Sequence, residues 1–531
     1  MARRPRTDGS ALERSTDPSR LAAHLEDAAH VPGGHATELV LPRSEADVAE
    51  ALSSSATVLP IGAQSSLTGG ATPRGDVLLS TARFRGCTVL EGGSVRVGAA
   101  VTLADLDQHL RTHDRFYPPG PTWQGATIGG TIATNAAGAA TFKYGTTRAW
   151  VDALTVVLAS GDVLDVHRGG TRAHADGYVD VVLANGVVRV PMPRYTMPAV
   201  PKLSAGYFAA PAMDLIDLFI GSEGTLGIVT EATLRTRHRR PALCLVFATF
   251  PDRHSALRCV EAVRRDAART WTAPDTPGLD VAAIEHMDAR CLELLREDGV
   301  DRRLGITLNR DAALALLITV ELPPGTTAAD AYGAFAADGR SPALAGLQRL
   351  AELLVQFGAH EDTQVAAPGD TTAAERLLAL REAVPVGVNR RIADAKRDID
   401  PRIEKTAADT IVPVEHVEAM LDRYDDELRQ RGLDGAVWGH ISDGNVHPNV
   451  IPRSYQDVVS GRDAVRAFGL EAIRLGGAPL AEHGVGRNVT KMQLLEDLYG
   501  ADGIEQMRQV KRALDPTGKL APGVIFGAAP R

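Results

Sequence analysis

Cysteine is scarce in this chain. Its 531 residues include four, Cys87, Cys244, Cys259 and Cys291, none in CxxC spacing. Neither a disulfide scaffold nor an iron–sulfur cluster has the cysteine spacing it calls for, and the four read as reduced, mostly structural thiols in a cytosolic protein. Long apolar runs are missing too. No segment approaches the roughly 20 residues that a membrane-spanning helix needs. There is no basic excess: 57 Lys plus Arg against 66 Asp plus Glu leave a formal charge of −9, which argues against a nucleic-acid footprint. Internal repeats and low-complexity tracts are absent. Neither a G-x-G-x-x-G fingerprint nor a P-loop is present, since Gly518-Lys519 lacks the upstream glycine and the Ser/Thr. NAD and nucleoside-triphosphate enzymes are therefore disfavoured. The basic start Met1-Ala2-Arg3-Arg4-Pro5-Arg6 precedes no apolar signal core, and Asp8, Glu13 and Asp17 do not suit a transit peptide, so a cytoplasmic location is expected.

What is present is ordinary globular composition, 44% hydrophobic and 23% charged, in a chain too long for one core. The pattern predicts an α+β fold in four stretches: a loose arm over 1–35, a domain of mixed sheets and helices over 36–239, a second α+β domain over 240–479, and a closing segment over 480–531. In the first domain, strands are expected at 37–41, 58–61, 94–99 and 153–158. A helix over 44–52 starts at Ser44, with Asp47 three residues on as its capping partner. Residues 168–203 are Pro-rich and read as a loop insertion. In the second domain, strands at 243–250 and 315–321 alternate with helices at 254–268, 343–357 and 372–384. This rhythm implies an antiparallel sheet with helices on one face. Arg381 would then sit near a helix end before Pro385.

One motif stands out: Gly439-His440-Ile441-Ser442-Asp443-Gly444-Asn445-Val446-His447, with Glu482-His483 further on. Asp443-Gly444 is a strong two-residue hairpin signal. With that pair at the tip, Ser442 faces Asn445, Ile441 faces Val446, and His440 faces His447. Directly opposed residues have Cβ atoms about 5 Å apart, close enough for two imidazoles to share an ion, with Glu482 as a third ligand and a position left open. A His2Glu set admits zinc, manganese or iron(II). The competing reading is a hairpin that merely pairs polar faces.

Three glycine-rich stretches in the first domain read as backbone cradles for an anion. The first is Gly62-Ala63-Gln64-Ser65-Ser66-Leu67-Thr68-Gly69-Gly70. The second runs through Pro119-Gly120, Thr127-Ile128-Gly129-Gly130 and Asn135-Ala136-Ala137-Gly138. The third is Gly221-Ser222-Glu223-Gly224-Thr225-Leu226-Gly227-Ile228. Each alone is weak, but three in one domain point to a large phosphate-bearing cofactor.

Taken in order, Pro60–Gly70, Ile128-Gly129-Gly130 with Asn135 and Tyr144-Gly145, Phe219–Gly227, Gly439–His447 and Glu482-His483-Gly484 resemble the FAD-linked oxidoreductases of the vanillyl-alcohol oxidase type. Within that group they resemble the D-2-hydroxy-acid dehydrogenase branch, which oxidises D-lactate, D-2-hydroxyglutarate or glycolate. The resemblance spans about Glu38 to Phe526. It implies FAD held by the first domain, its pyrophosphate on Gly62–Ser66 and Thr127–Gly130, with Gly62, Ala63, Gln64, Ser65, Ser66, Thr68, Gly69, Pro119, Gly120, Thr127, Gly129, Gly130, Asn135, Gly138, Glu223, Gly227 and Ile228 as its contacts. The second domain would cap the flavin, and the segment from about Leu480 would return to it. His440, His447 and Glu482 match the family's metal ligands and His483 its base. Arg381 and Lys405 stand where it places cations for a substrate carboxylate. An extended 482–483 segment would send the two side chains to opposite faces, one to the metal and one to the proton. Two features depart from the family. No histidine lies in the first glycine loop, so FAD is expected to be non-covalent, and Ala521-Pro522-Gly523 replaces the usual Asn-Pro-Gly. Without haem, iron–sulfur or NAD signals, electrons would leave to an external acceptor: a quinone, a cytochrome, an electron-transfer flavoprotein or oxygen. Peripheral attachment at the inner membrane face and a homodimer both remain open. So do oxidation of another alcohol, alkyl transfer on a glycerone phosphate, and a non-catalytic FAD subunit of an electron-transfer complex.

Overall fold

The computed structural model describes residues 2–9, 11–273, 278–336 and 342–527. The chain divides into two compact units, one of residues 1–138, 145–238 and 478–531, the other of 139–144 and 239–477. The short stretch 139–144, expected in the first domain, groups with the second unit.

In the first unit, Glu13–Ser15, His35–Leu41, Arg74–Ser80 and Val58–Ile61 form a four-stranded sheet in that order. The last three strands are parallel. Cys87–Val89, Val95–Gly98, Ile228–Leu234, Val151–Val157 and Val163–His167 form an antiparallel five-stranded sheet. Ser44 and Asp47 close the expected capping box on helix Glu45–Ser54. The N-terminal arm is not loose. Glu13–Ser15 adds antiparallel to His35–Leu41, and Arg3 bridges Glu45 and Asp165. Its polar composition concealed this because strand addition rests on main-chain hydrogen bonds. The Pro-rich insertion is likewise structured: Tyr178–Leu183 and Gly186–Pro191 pair as a β-hairpin. The closing segment joins the same core, where Leu480, Val485, Leu495, Met507 and Val524 cluster with Val97, Ile128, Leu154 and Leu226.

The second unit is built on an eight-stranded sheet in the order Gln364–Ala366, Ala242–Phe250, Leu314–Leu322, Val281–Asp288, Gly435–His440, Asn445–Val450 and Thr406–Ala407, with Thr410–Ile411 also on Asn445–Val450. Every pairing is antiparallel. Leu245, Phe247, Met287 and Leu317 pack with Leu292, Leu295, Leu377 and Leu380 of helices Ala289–Glu297 and Thr371–Asp398. The alternate residues Cys244, Val246, Ala248 and Phe250 are equally buried. Both faces of the central strands are therefore covered, not one as expected. The continuous apolar runs of these strands are the signature of that arrangement.

Two local expectations fail for identifiable reasons. Helix Thr371–Asp398 runs through Pro385. Proline costs about 3 kcal/mol in a helix interior, but Leu377, Leu380, Val384, Val388 and Ile392 bury one continuous apolar stripe across it, which offsets that cost. Arg381 thus stands inside the helix rather than at its end. At the hairpin, a type I′ turn requires φ > 0 at both central residues, yet only Gly444 has it, at +83°, while Ile441–Asp443 forms a 3₁₀ turn. The connection is therefore the four residues Ile441–Gly444, and the register is His440↔Asn445, Gly439↔Val446, Trp438↔His447. The Ser442 hydroxyl accepts the Ile284 N–H at 3.1 Å, docking the tip on the neighbouring strand.

This tip leaves no room for a side chain at Gly444. A Cβ there would stand 2.1 Å from the Val412 carbonyl oxygen, whereas one at Gly476, also left-handed at +79°, would meet nothing within 4 Å. Gly476→Ala should cost only the left-handed strain, about 1–2 kcal/mol. Gly444→Ala should cost clearly more, read as the larger drop in denaturation midpoint for the transition that exposes Trp438. Equal losses would show that the Val412 contact is not limiting.

Candidate active site

Polar side chains stand in a row across the second unit's sheet. Glu285 lies directly opposite His440 on the adjacent strand, and its Oε1 is 3.0 Å from His440 Nδ1. On the next strand, His447 Nδ1 is 3.5 Å from Asp409 Oδ1. Each histidine therefore turns Nδ1 toward a carboxylate. The imidazole centroids are 5.6 Å apart and nearly perpendicular, at 89°, although the two residues are diagonal rather than opposed. Strand Asn445–Val450 is buried at every position, and Asn445, His447 and Asn449 share one face by alternation. The amide oxygens Oδ1 of Asn445 and Asn449 are buried with no partner among the described residues. Two imidazoles with flanking carboxylates and unsatisfied amide oxygens form a donor set that suits a divalent ion.

Arg381 carries two N–H groups to Glu285 Oε2, Nε at 3.1 Å and Nη2 at 3.0 Å, and Nη1 to Glu382 Oε1 at 3.1 Å. Burial alone would raise the Glu285 carboxyl, but the charge of Arg381 and the hydrogen bond from His440 overcome it and hold the group well below the usual carboxylate range. Lys405 is an exposed residue, and among the described residues its ammonium has no hydrogen-bond or ion-pair partner. Burial by surrounding protein pulls its pKa down to about 8. Because the residue keeps solvent contact, about 8 is a lower bound.

In the first unit, close backbone approaches draw the glycine loops together. A Cβ on Gly62 would stand 2.5 Å from Thr127 Oγ1, one on Gly129 2.9 Å from the Ala99 Cβ, and one on Gly138 2.5 Å from the Gly120 carbonyl oxygen. The first loop thus abuts the second, and the second closes on itself. Each of the three glycine stretches also carries a non-glycine residue in the left-handed region: Gln64 at +51°, Asn135 at +49° and Glu223 at +51°. Such conformations cost of order 1–3 kcal/mol and persist where the surroundings over-determine them. Gln64 Nε2 donates to the His24 and Ala71 carbonyls, both at 2.9 Å. Asn135 accepts the Arg148 N–H at 3.0 Å and donates to the Leu203 carbonyl at 3.3 Å. The Glu223 carboxylate accepts the Val485 and Gly486 N–H groups at 2.8 Å, with burial raising its pKa against those bonds.

The expected contacts consequently differ in surroundings. Gly62, Ala63, Ser65 and Gly130 are exposed, whereas Pro119, Thr127, Asn135, Gly138, Gly227 and Ile228 are buried and Gly120 and Gly129 half-buried. Thr127 Oγ1 caps helix Ile128–Ala133, and Gly227 packs on Val156. Thr68 and Gly69 are buried. The Thr68 hydroxyl bonds Ser66 Oγ at 3.0 Å, and its carbonyl takes the Arg487 N–H at 3.1 Å. In the second stretch the Gly129 N–H is bonded to the Ala99 carbonyl at 2.9 Å and the Gly130 N–H to Thr127 Oγ1 at 3.4 Å, so the exposed residues Gly62, Ala63 and Ser65 of the first loop are the more open part of the floor.

Residues 481–483 form a bend, not an extended strand. The side chains of Glu482 and His483 accordingly do not separate to opposite faces: His483 Nε2 lies 3.6 Å from Glu482 Oε1. Glu482 Oε2 also meets Lys202 Nζ at 3.0 Å, and the Lys202 side chain is fully buried. Lys202, Glu285, Asp409, Asn445 and Asn449 were not singled out from sequence. A charge inside the buried run Val281-Ala282-Ala283-Ile284-Glu285 was the available signal for Glu285, and a lysine among Val200, Pro201 and Leu203 the signal for Lys202.

Comparison with known proteins agrees with this architecture. Residues 36–167 match the FAD binding domain model, and residues 241–525 match FAD linked oxidases, C-terminal domain. The D-2-hydroxyglutarate dehydrogenase of Xanthomonas citri pv. viticola is 28% identical, over 97% of this chain and 94% of its own. The D-lactate dehydrogenase of Archaeoglobus fulgidus is 27% identical, over 87% of this chain and 84% of its own. Glycolate oxidase subunit GlcD of Bacillus subtilis is 27% identical, over 88% and 83%. The solved structure of an alkyldihydroxyacetonephosphate synthase shares the fold, with a TM-score of 0.61 at 14% identity over 96% of this chain and 82% of that one. With an FAD binding domain ahead of a C-terminal domain that spans more than half its length, the chain belongs to the FAD-linked oxidases and is an FAD-linked oxidoreductase.

Proposed function

We propose that the chain oxidises a D-2-hydroxy acid of the D-lactate kind to the 2-oxo acid, with FAD held non-covalently and a divalent ion held by His440, His447 and Glu482. The observation that carries this reading is the buried histidine pair, each Nδ1 turned toward a carboxylate. The names of the D-lactate and D-2-hydroxyglutarate dehydrogenases supply the substrate class. When bound, FAD would supply the hydride acceptor and a divalent ion held by these residues would supply Lewis acidity. The chain's residues do the rest. Lys405 takes the substrate carboxylate by a charge-assisted hydrogen bond. Arg381, the second expected cation, meets substrate only as a group already paired with Glu285. His483 accepts the hydroxyl proton, a task suited to an imidazole near neutral pH. Glu482 is held in place by Lys202. The electrons leave to an external acceptor: a quinone, a cytochrome, an electron-transfer flavoprotein or oxygen. No helix among the described residues is long and apolar enough to cross a membrane.

Acid precipitation should release yellow FAD into the supernatant. Under anaerobic conditions the visible band of oxidised flavin should bleach with D-2-hydroxy acids and persist with their L enantiomers. Bleaching by simple alcohols alone would move the reading to another substrate class. His483→Asn should retain FAD and metal but slow flavin reduction by about 10²–10⁴-fold, whereas Glu482→Gln should weaken metal retention and substrate affinity together. Wild-type reduction rates in both variants would remove this segment from the chemistry.

Lys405 adds a pH dependence. Its pKa is lowered from 10.5, so the cation that binds a carboxylate persists below about 8 and is lost only as pH rises through its pKa, at or above that value. The second-order rate constant for flavin reduction should fall along an alkaline limb starting at or above pH 8. Lys405→Met should flatten that limb and raise KM by about ten- to a hundredfold. A limb unchanged in Lys405→Met would assign it to another group.

A further inference from the structure

Glu285 and His440 are paired residues on neighbouring strands, so their side chains leave the same face of the sheet with Cβ atoms about 5 Å apart. The two oxygens of Glu285 divide their work. Oε1 meets His440 Nδ1 at 3.0 Å, and Oε2 receives both Nε and Nη2 of Arg381. Both side chains of the Glu285–His440 pair are almost wholly buried, at 10% and 4% exposure. A carboxylate can only accept here. The nitrogen facing it must therefore carry the proton, and the ring's lone pair is left on Nε2. An imidazole binds a cation through its unprotonated nitrogen, so whatever fixes the Nδ1 proton chooses the binding atom.

We propose that Glu285 is a positioning residue that sets the tautomer and ring plane of His440, with Arg381 as the clamp on its second oxygen, so that His440 presents Nε2 to a divalent cation. The metal task rests on the function proposed above; the tautomer does not. The arrangement has a clear division of labour. Arg381 comes from helix Thr371–Asp398, Glu285 from the strand beside the hairpin, and His440 from the hairpin itself. The two N–H bonds from Arg381 to one oxygen restrict the Glu285 rotamer and leave the other oxygen aimed at the ring. An ion pair serving stability alone would be complete with Arg381 and would have no effect on which nitrogen of His440 is protonated.

The test uses the full-length FAD-loaded chain with ¹⁵N-labelled histidine, its metal stripped by chelator, and His440→Gln to assign the ring signals. Long-range ¹H–¹⁵N correlations should show His440 as the Nδ1–H tautomer. In Glu285→Leu it should move toward Nε2–H, the form that free imidazole side chains favour. Zinc affinity, measured by competition with a chromophoric chelator, should fall about 10–100-fold in Glu285→Leu at an unchanged ratio of FAD to protein. Glu285→Gln, which keeps an acceptor oxygen, should recover most of it. Where leaving Arg381 unpaired prevents Glu285→Leu from folding, the double variant Glu285→Leu/Arg381→Met removes both charges and gives the same readouts. An Nε2–H tautomer in the metal-free wild type overturns the proposal, as does a folded Glu285→Leu with wild-type tautomer and zinc affinity. A wild type that takes up no zinc overturns the metal reading, and the tautomer then still decides the role of Glu285.

Discussion

A carboxylate buried on the central sheet organises the polar part of the second unit. Removing an ionised group from water costs several kcal/mol even after relaxation, and Glu285 sits almost fully buried on a strand that is buried at every position but its last. The charge is sustained by two partners at once, Arg381 and His440, which hold its pKa below the usual carboxylate range in spite of burial. The demand ties three elements together. Helix Thr371–Asp398 must deliver Arg381, strand Val281–Asp288 must present Glu285, and the hairpin must bring His440 into register with it. The continuation of the helix past Pro385 belongs to the same account: its apolar stripe runs on both sides of Arg381 and fixes the turn from which that side chain reaches the sheet.

The first unit reaches rigidity by the opposite device, the absence of atoms. Where Gly62 meets Thr127, and Gly138 meets the Gly120 carbonyl, a single added carbon would force the loops apart. Missing side chains thus set the spacing of the floor. The left-handed residues Gln64, Asn135 and Glu223 store strain in the same loops. Each is locked by bonds to a different part of the unit: the segment between strands Glu13–Ser15 and His35–Leu41, the loops around Arg148 and Leu203, and the closing segment at Val485 and Gly486. A ligand laid on such a floor meets loops already fixed in place, so little ordering cost remains at binding.

The strands and helices that were legible have local periodicities. Ser44 and Asp47 announce a helix start, and Leu243–Phe250 announces a strand, without reference to anything distant. The candidate site was legible as a set of residue types: His440, His447, Glu482 and His483 stand out in the sequence, while Lys405 was carried only by the family resemblance. Its partners do not. Glu285 lies 155 positions from His440 and Lys202 lies 280 from Glu482, and no single-sequence pattern links residues so far apart. The arm and the 168–203 hairpin were misread for a related reason. Strand addition and hairpin closure rest on main-chain bonds, to which polar and Pro-rich composition gives little clue.

The histidine pair shows how a wrong register can still lead to the right neighbours. Asp443-Gly444 invited a two-residue tip with His440 directly across from His447, whereas the four-residue connection pairs His440 with Asn445. That displacement is two residues along the partner strand, and side chains alternate with period two. A shift of one would have sent His447 to the far face of the sheet; a shift of two keeps it on the same face, one step along the diagonal. Directly opposed imidazoles, with Cβ atoms about 5 Å apart, would tend to pack against each other. Diagonal neighbours, at about 7–8 Å, have room to turn. The perpendicular rings at 5.6 Å are the outcome of that extra room, which lets each Nδ1 turn to its own carboxylate instead of to the other ring.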